Sequence, residues 1–270
     1  MAFEINFSQF KIFFGSMVKF TTNLSETLIC ETNETKSFIK HEISGSGELK
    51  LGKDSSVWMI ENFLKDNLKK QIIDELEEHS NFFLRPMGAY GNKIPRGQCA
   101  FGEGQYNYGK LSIAALPAPT GIQSLMTEIS HQSNLQNLKF VLVNKYQDGN
   151  DSVGLHADDE ETLNYEDPIF SLSLGASRNF VIRPSICNIS KPKPNAKNKI
   201  EFGPYNPELS KLFVHKKVPY SKISISVRAK DNLMLVMAGK RFQSDFVHEV
   251  PKEPKVIGVR YNLTFRSMKI

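Results

Sequence analysis

Arg260-Tyr-Asn-Leu-Thr-Phe-Arg266 decides how this chain is read. Side chains two apart on a strand share a face, so Arg260, Asn262, Thr264 and Arg266 look the same way. Two arginines and an asparagine turned inward would be costly in a packed core without anions to satisfy them. The stretch therefore reads as a strand lining a polar site, within a strand expected over Val256–Phe265. Working outward, Leu138–Val143, Ile169–Leu174, Asn179–Ile182, Ile223–Val227 and Leu233–Met237 also have the β-branched and apolar content of strands. Glu61–His79 carries Phe63, Leu64, Leu68, Ile72, Ile73 and Leu76 as a helical stripe, and Gln123–Ser130 is a second expected helix. Many short strands after two helices predict a mainly β fold, a β-sandwich with flanking helices.

His156-Ala157-Asp158 places an imidazole and a carboxylate two residues apart on extended chain, so both point to one side. With a distant His248 the set is two histidines and one carboxylate, which can occupy one face of an octahedral Fe(II) and leave positions open. Mn, Co or Zn could sit inertly in the same site. His41, His79, His131 and His215 lack a carboxylate at that offset and are assigned no ligand role. An arginine beyond the second histidine can hold a dicarboxylate co-substrate in bidentate fashion.

Asn144-Lys-Tyr146-Gln-Asp-Gly, His156-Ala-Asp158-Asp159-Glu160, Pro168-Ile-Phe-Ser171-Leu-Ser173-Leu-Gly175-Ala and the Arg260–Arg266 stretch together resemble the AlkB family. These are Fe(II)/2-oxoglutarate dioxygenases that oxidatively remove alkyl groups from nucleic-acid bases. Ile94-Pro95-Arg96-x-Gln98 and the Asp-Asp-Glu after the first histidine make the likeness closest to the eukaryotic duplex-DNA-repair branch. It covers about Val57 to Met268. The resemblance implies a double-stranded β-helix of the jelly-roll kind, open at one end for the metal. It also implies that His156, Asp158 and His248 are catalytic metal ligands. Arg260 would pair with the distal carboxylate of 2-oxoglutarate, with Asn144, Tyr146, Asn262 and Thr264 beside it and Arg266 near its metal-bound end. Iron, 2-oxoglutarate and O2 would then oxidise a base-linked methyl, releasing formaldehyde, succinate and CO2. N1-methyladenine and N3-methylcytosine are cationic, and Asp159 and Glu160 are placed to favour them.

Reaching a base inside a duplex requires flipping it out, and a wedge helps fill the gap. Met87, in Arg85-Pro-Met87-Gly-Ala89, is the candidate wedge, where the branch carries an aromatic. Arg96 follows on the same expected finger, and Phe101, Tyr106 and Tyr108 are candidates to stack on the extruded base. The expected partner is alkylated DNA, with RNA as the alternative. A protein- or lipid-directed dioxygenase of the same fold is the competing reading, as is a metal-dead nucleic-acid-binding jelly roll.

At 270 residues with net charge +5, the chain has ample material for a core, and the placement of charge says more than its sum. Between Arg183 and Lys222 nine Lys/Arg face only Glu201 and Glu208, which suits a phosphate backbone. Cys30, Cys99 and Cys187 show no C-x-x-C and no framework spacing, which argues for a reducing compartment. No stretch approaches a membrane span, which reads as a soluble, intracellular protein. With the resemblance, the expected location is the nucleus in a eukaryote and otherwise the cytoplasm. The expected organisation is an N-terminal segment, 1–56, partly disordered or a short hairpin around Phe38–Ile43 and Gly45-Ser-Gly47. A single monomeric domain over 57–270 follows, with a basic insert at about 184–222. Gln9-Phe-Lys-Ile12-Phe13-Phe14 has the residues of a sliding-clamp-binding peptide, but its aromatics follow the aliphatic at once, so no clamp contact is expected.

Overall fold

The computed structural model describes residues 25–31, 38–44, 47–52, 54–87, 91–108, 111–164, 166–185 and 223–269. Two sheets face each other, as the alternating strands require. The larger sheet has seven strands: Gly47–Gly52 (β3), Ser55–Ile60 (β4), Leu233–Ala238 (β13), Ile169–Gly175 (β10), Arg260–Ser267 (β15), Leu138–Tyr146 (β8) and Gly97–Gly102 (β5), in that spatial order. The smaller has six: Ser25–Glu31 (β1), Phe38–Ser44 (β2), Ile223–Ala229 (β12), Arg178–Pro184 (β11), Phe246–Val250 (β14) and Val153–His156 (β9). A separate hairpin joins Gln105–Tyr108 (β6) to Leu111–Ala114 (β7). This is the mainly β sandwich expected from the strand pattern, in the jelly-roll form that the resemblance implied.

Period-two alternation sorts the larger sheet into two faces. Phe170, Leu172, Leu174, Val141, Val143, Tyr261, Leu263 and Phe265 form one outer core with Leu68, Ile72 and Leu76 of Asp66–Glu78 (α1) and Ile122, Leu125 and Ile129 of Thr120–Ser133 (α2). The opposite face looks into the sandwich. At one end it is apolar, where Ile169, Leu235 and Met237 meet Phe180, Ile182, Ile225 and Val227 of the smaller sheet. Each such side chain withdrawn from water contributes about 1.5–3 kcal/mol. At the other end the same face turns polar, with Asn144, Ser171, Ser173, Arg260, Asn262, Thr264 and Arg266 all buried. That change of character along one face positions the site.

Two element boundaries and one strand pairing differ most from the sequence reading. The first helix begins at Asp66 rather than Glu61, because Asn232 holds the preceding backbone in another shape. Its Oδ1 accepts the Leu64 N–H at 2.8 Å, and its Nδ2 donates to the Leu64 carbonyl at 2.7 Å. The last strand begins at Arg260 rather than Val256, since Val256 closes a loop with Gly149 and Glu253 and Gly258 takes φ +111°. Phe38–Ser44 and Gly47–Gly52 do not pair as a hairpin. β2 pairs antiparallel with β1 and parallel with β12, whereas β3 pairs with β4 in the other sheet. The clamp-like Gln9–Phe14 stretch and 186–222, most of the basic insert, lie outside the described residues.

Candidate metal centre

β9 and β14 are antiparallel neighbours, and their register sets His156 directly opposite His248. Asp158 follows β9 by two residues, and the ligand atoms of the three side chains lie within 4.8 Å of one another. His156 Nε2 is 3.7 Å from Asp158 Oδ1 and His248 Nε2 is 3.8 Å from Asp158 Oδ2. Their orientation is imposed from behind. His156 Nδ1 is 2.9 Å from the Gly154 carbonyl and, donating there, turns Nε2 to the centre. The His248 ring stacks on Phe180, centroids 5.1 Å apart. Gln243, in the short helix Phe242–Asp245 (α3), accepts the Asp158 backbone N–H at 2.9 Å.

The charge states suit a cation. Burial alone would raise the Asp158 carboxyl, but Arg266, His248 and His156 outweigh it and hold the group below its ordinary range. Burial, then the neighbouring His156, pushes His248 down to about 3, so its imidazole is neutral at physiological pH. A carboxylate with a neutral imidazole is the donor set that Fe(II) takes. Among the described residues no other group of histidine, cysteine and acidic side chains clusters in this way.

A second polar face lies across the cavity on β8, β10 and β15. Arg260 is 1 % exposed, and its Nη2 donates to Ser173 Oγ at 2.9 Å. Its Nε and Nη1 are buried without an acceptor, donors left for an anion to satisfy. Its Cζ lies 5.0 Å from the centre of the Tyr146 ring. Asn262 donates to Ser171 Oγ at 2.8 Å and lies 3.4 Å from Thr264 Oγ1. Asn144 Oδ1 accepts from Arg96 Nε at 2.8 Å and from Gln98 Nε2 at 3.0 Å. Arg266 donates to Asp158 Oδ1 at 2.6 Å, tying the last strand to the metal ligand. This donor array fits a dicarboxylic keto acid beside a metal.

A family model of the 2OG-Fe(II) oxygenase superfamily matches residues 56–266. The chain belongs to that superfamily. As a 2OG-Fe(II) oxygenase it is related to the AlkB-type members. It is 27 % identical over 205 residues to human DNA oxidative demethylase ALKBH2, covering 73 % of this chain and 68 % of that protein. To the Arabidopsis thaliana protein of that name it is 28 % identical over 226 residues, 80 % of this chain and 67 % of that one. To mouse alpha-ketoglutarate-dependent dioxygenase alkB homolog 3 it is 31 % identical over 176 residues, 64 % of this chain and 52 % of that one. These identities do not separate the two branches. The solved structure of OsALKBH1 superposes with a TM-score of 0.52 at 18 % identity, covering 82 % of this chain and all of that one, a likeness of fold. The chain is thus an Fe(II)/2-oxoglutarate-dependent dioxygenase, with the general oxidative dealkylating activity of the AlkB type, and His156, Asp158 and His248 are its metal triad.

The base-contacting candidates fare unequally in this oxygenase. Tyr106 lines the cavity with Arg96, His156 and Arg266, its ring 5.3 Å from the Arg266 Cζ. Glu160 turns inward, its Oε1 4.0 Å from Arg266 Nη1, and burial with Asp158 nearby raises its carboxyl. Asp159 points to solvent instead. Phe101 is a correction. It falls on the outer face of β5, fully buried in the helix-covered core and edge-on to His79 at 5.5 Å, because Gln98 and Ala100 take the inward positions. Met87 is 59 % exposed on a hairpin bridged at Leu84–Gln98 and Met87–Lys93. The Tyr108 side chain lies outside the described residues. Ser171, Ser173, Gln98 and Gln243 were assigned no role from sequence. The two serines had left a signal, alternating polar positions inside the apolar run Ile169–Leu174.

Proposed function

We propose that this dioxygenase removes methyl groups from ring nitrogens of nucleic-acid bases, N1-methyladenine and N3-methylcytosine, in DNA. The observation that carries this is the Glu160 carboxyl, its oxygens buried, standing with Tyr106 and Arg266 beside the metal ligand Asp158. A flat aromatic and an acid at one wall suit a planar, positively charged base better than an aliphatic protein side chain or a lipid. The names of the ALKBH2 relatives, DNA oxidative demethylases, support the same choice.

In this reading His156, Asp158 and His248 hold Fe(II), which with 2-oxoglutarate and O2 supplies the oxidation of the methyl C–H. The chain's own work is placement. Arg260, with Tyr146 against its guanidinium, fixes the distal carboxylate, and Asn144, Asn262 and Thr264 orient the rest of the keto acid. Arg266 neutralises Asp158 and keeps its second oxygen turned toward His248. Tyr106 and Glu160 orient the base. Met87 fills the space an extruded base leaves, and the basic segment between Arg183 and Lys222 contacts phosphates. The protein works as a monomer, in the nucleus of a eukaryotic cell or otherwise in the cytoplasm.

Succinate release measured with methylated single-stranded DNA, duplex DNA and RNA of one sequence tests the substrate. DNA should stimulate release above the uncoupled rate, and stimulation by RNA alone would replace the DNA reading with the RNA one. Met87→Ala should slow duplex repair several-fold and spare single strands, because only a duplex needs its gap filled. Equal losses on both would make Met87 a packing residue.

A further inference from the structure

Outside the residues just assigned, the most heavily tied polar side chain around the site is Arg178, at the start of β11. It is 1 % exposed and touches no metal ligand. Its Nη1 donates to the Asp148 carbonyl at 3.0 Å, and its Nη2 to those of Asp151 at 2.8 Å and Pro251 at 2.6 Å. Its Nε lies 3.4 Å from Glu253 Oε1. These acceptors are distributed in a telling way. Asp148 and Asp151 belong to the loop that leaves Tyr146 and enters β9, the strand ending in His156. Pro251 closes β14, the strand carrying His248. One guanidinium therefore pins the ends of three strands that deliver site residues.

The same guanidinium lies 5.6 Å from the centre of the Tyr146 ring, which also carries Arg260 at 5.0 Å. Two buried arginines of like charge thus flank one aromatic ring. Such an arrangement is stable only if each guanidinium is held by oxygen acceptors elsewhere. Arg178 has its carbonyls and Glu253. Arg260 donates to Ser173 Oγ and lies against Tyr146, and its Nε and Nη1 have no acceptor within hydrogen-bond distance. Arg178 thus sets the ring against which Arg260 is aligned.

We propose that Arg178 is a positioning residue for 2-oxoglutarate: it holds the 147–151 loop and the Tyr146 ring so that Arg260 presents its free donors to the distal carboxylate. This rests on the assignment of Arg260 and Tyr146 to the co-substrate. Residues that orient ligating groups from behind commonly change affinity by about ten- to a hundredfold when altered.

The test is isothermal titration of 2-oxoglutarate into the full-length, Mn(II)-loaded protein, without turnover. Arg178→Lys keeps the charge but cannot reach three carbonyls, and should raise the 2-oxoglutarate Kd about tenfold. Glu253→Gln leaves Arg178 in place, removes the carboxylate beside its Nε, and should raise Kd by less. In turnover, Arg178→Lys should raise KM for 2-oxoglutarate while kcat at saturation stays near that of the wild type. A merely structural arginine would instead lower the active fraction, and so kcat, with KM unchanged. Arg260→Ala is the control. If it weakens 2-oxoglutarate binding while both Arg178→Lys and Glu253→Gln bind as the wild type does, the proposal is overturned. Should Arg178→Lys not fold, Glu253→Gln alone decides. If Arg260→Ala also binds normally, it is the co-substrate assignment that fails.

Discussion

His156, Asp158 and His248 differ in how much of the structure leans on them, and their variants should separate accordingly. Replacing any one with alanine should abolish succinate release with Fe(II), since two ligands do not keep the metal in working geometry. His156→Ala should leave the melting temperature near that of the wild type, because the ring is only partly buried. Asp158→Ala should also cost about 3 kcal/mol of stability, because it strands the buried Arg266 guanidinium that Asp158 now accepts from. Thermal melts beside turnover assays check both, and turnover near the wild-type level in any of the three would remove the ligand assignment. Arg260→Ala should mainly raise the 2-oxoglutarate concentration needed. A charge-assisted hydrogen bond of about 2 kcal/mol corresponds to a KM increase of about thirtyfold. An unchanged requirement in co-substrate titrations would sink this.

At the scale of elements, the loop between β14 and β15 is fastened by Glu253. It accepts the Asn179 N–H at 2.6 Å and pairs with Arg228 at 2.5 Å. Burial alone would raise this carboxyl, but the Asn179 N–H, Arg228 and Arg178 outweigh that and hold it below its ordinary 4.5. A depressed folded pKa means the stabilisation is fully present above the unfolded value and is lost as pH falls through the folded one. Glu253→Gln should therefore be less stable than the wild type at neutral pH, with the gap closing below about pH 4.5. Urea unfolding of both proteins across that range decides it, since a gap independent of pH would mean the carboxylate's charge contributes nothing. Strand parity acts at this scale too. It sends Gln98 toward Asn144 and Phe101 into the helix-covered core, though the two stand three residues apart on one strand.

For the molecule as a whole, polar and apolar ends of one inner sheet face divide the work, one building the site and the other the core. Nucleic-acid affinity should then rest on charges away from the cavity. Neutralising Lys191, Lys193, Lys197 and Lys199 should weaken DNA binding whatever the sequence, and lower the log–log salt slope by roughly one unit per lost phosphate contact. Binding isotherms at several salt concentrations measure this, and an unchanged slope would make the segment a bystander.

The sequence, read with the family resemblance for the ligand set, determined His156, Asp158 and His248, the inward row from Arg260 to Arg266 and the mainly β architecture. The His-x-Asp spacing, the inward row and the strand period are local chemistry that any folded form must respect. Which partner completes each group was decided only by the tertiary structure. Ser173 meets Arg260 across 87 positions of chain, Gln243 caps the Asp158 amide across 85, and Arg178 gathers carbonyls from two loops. The face of β5 that Phe101 occupies, and the opposite sheets that take β2 and β3, were likewise set by register. Register depends on which strands become neighbours, and that is a property of the packed sandwich as a whole rather than of any one segment.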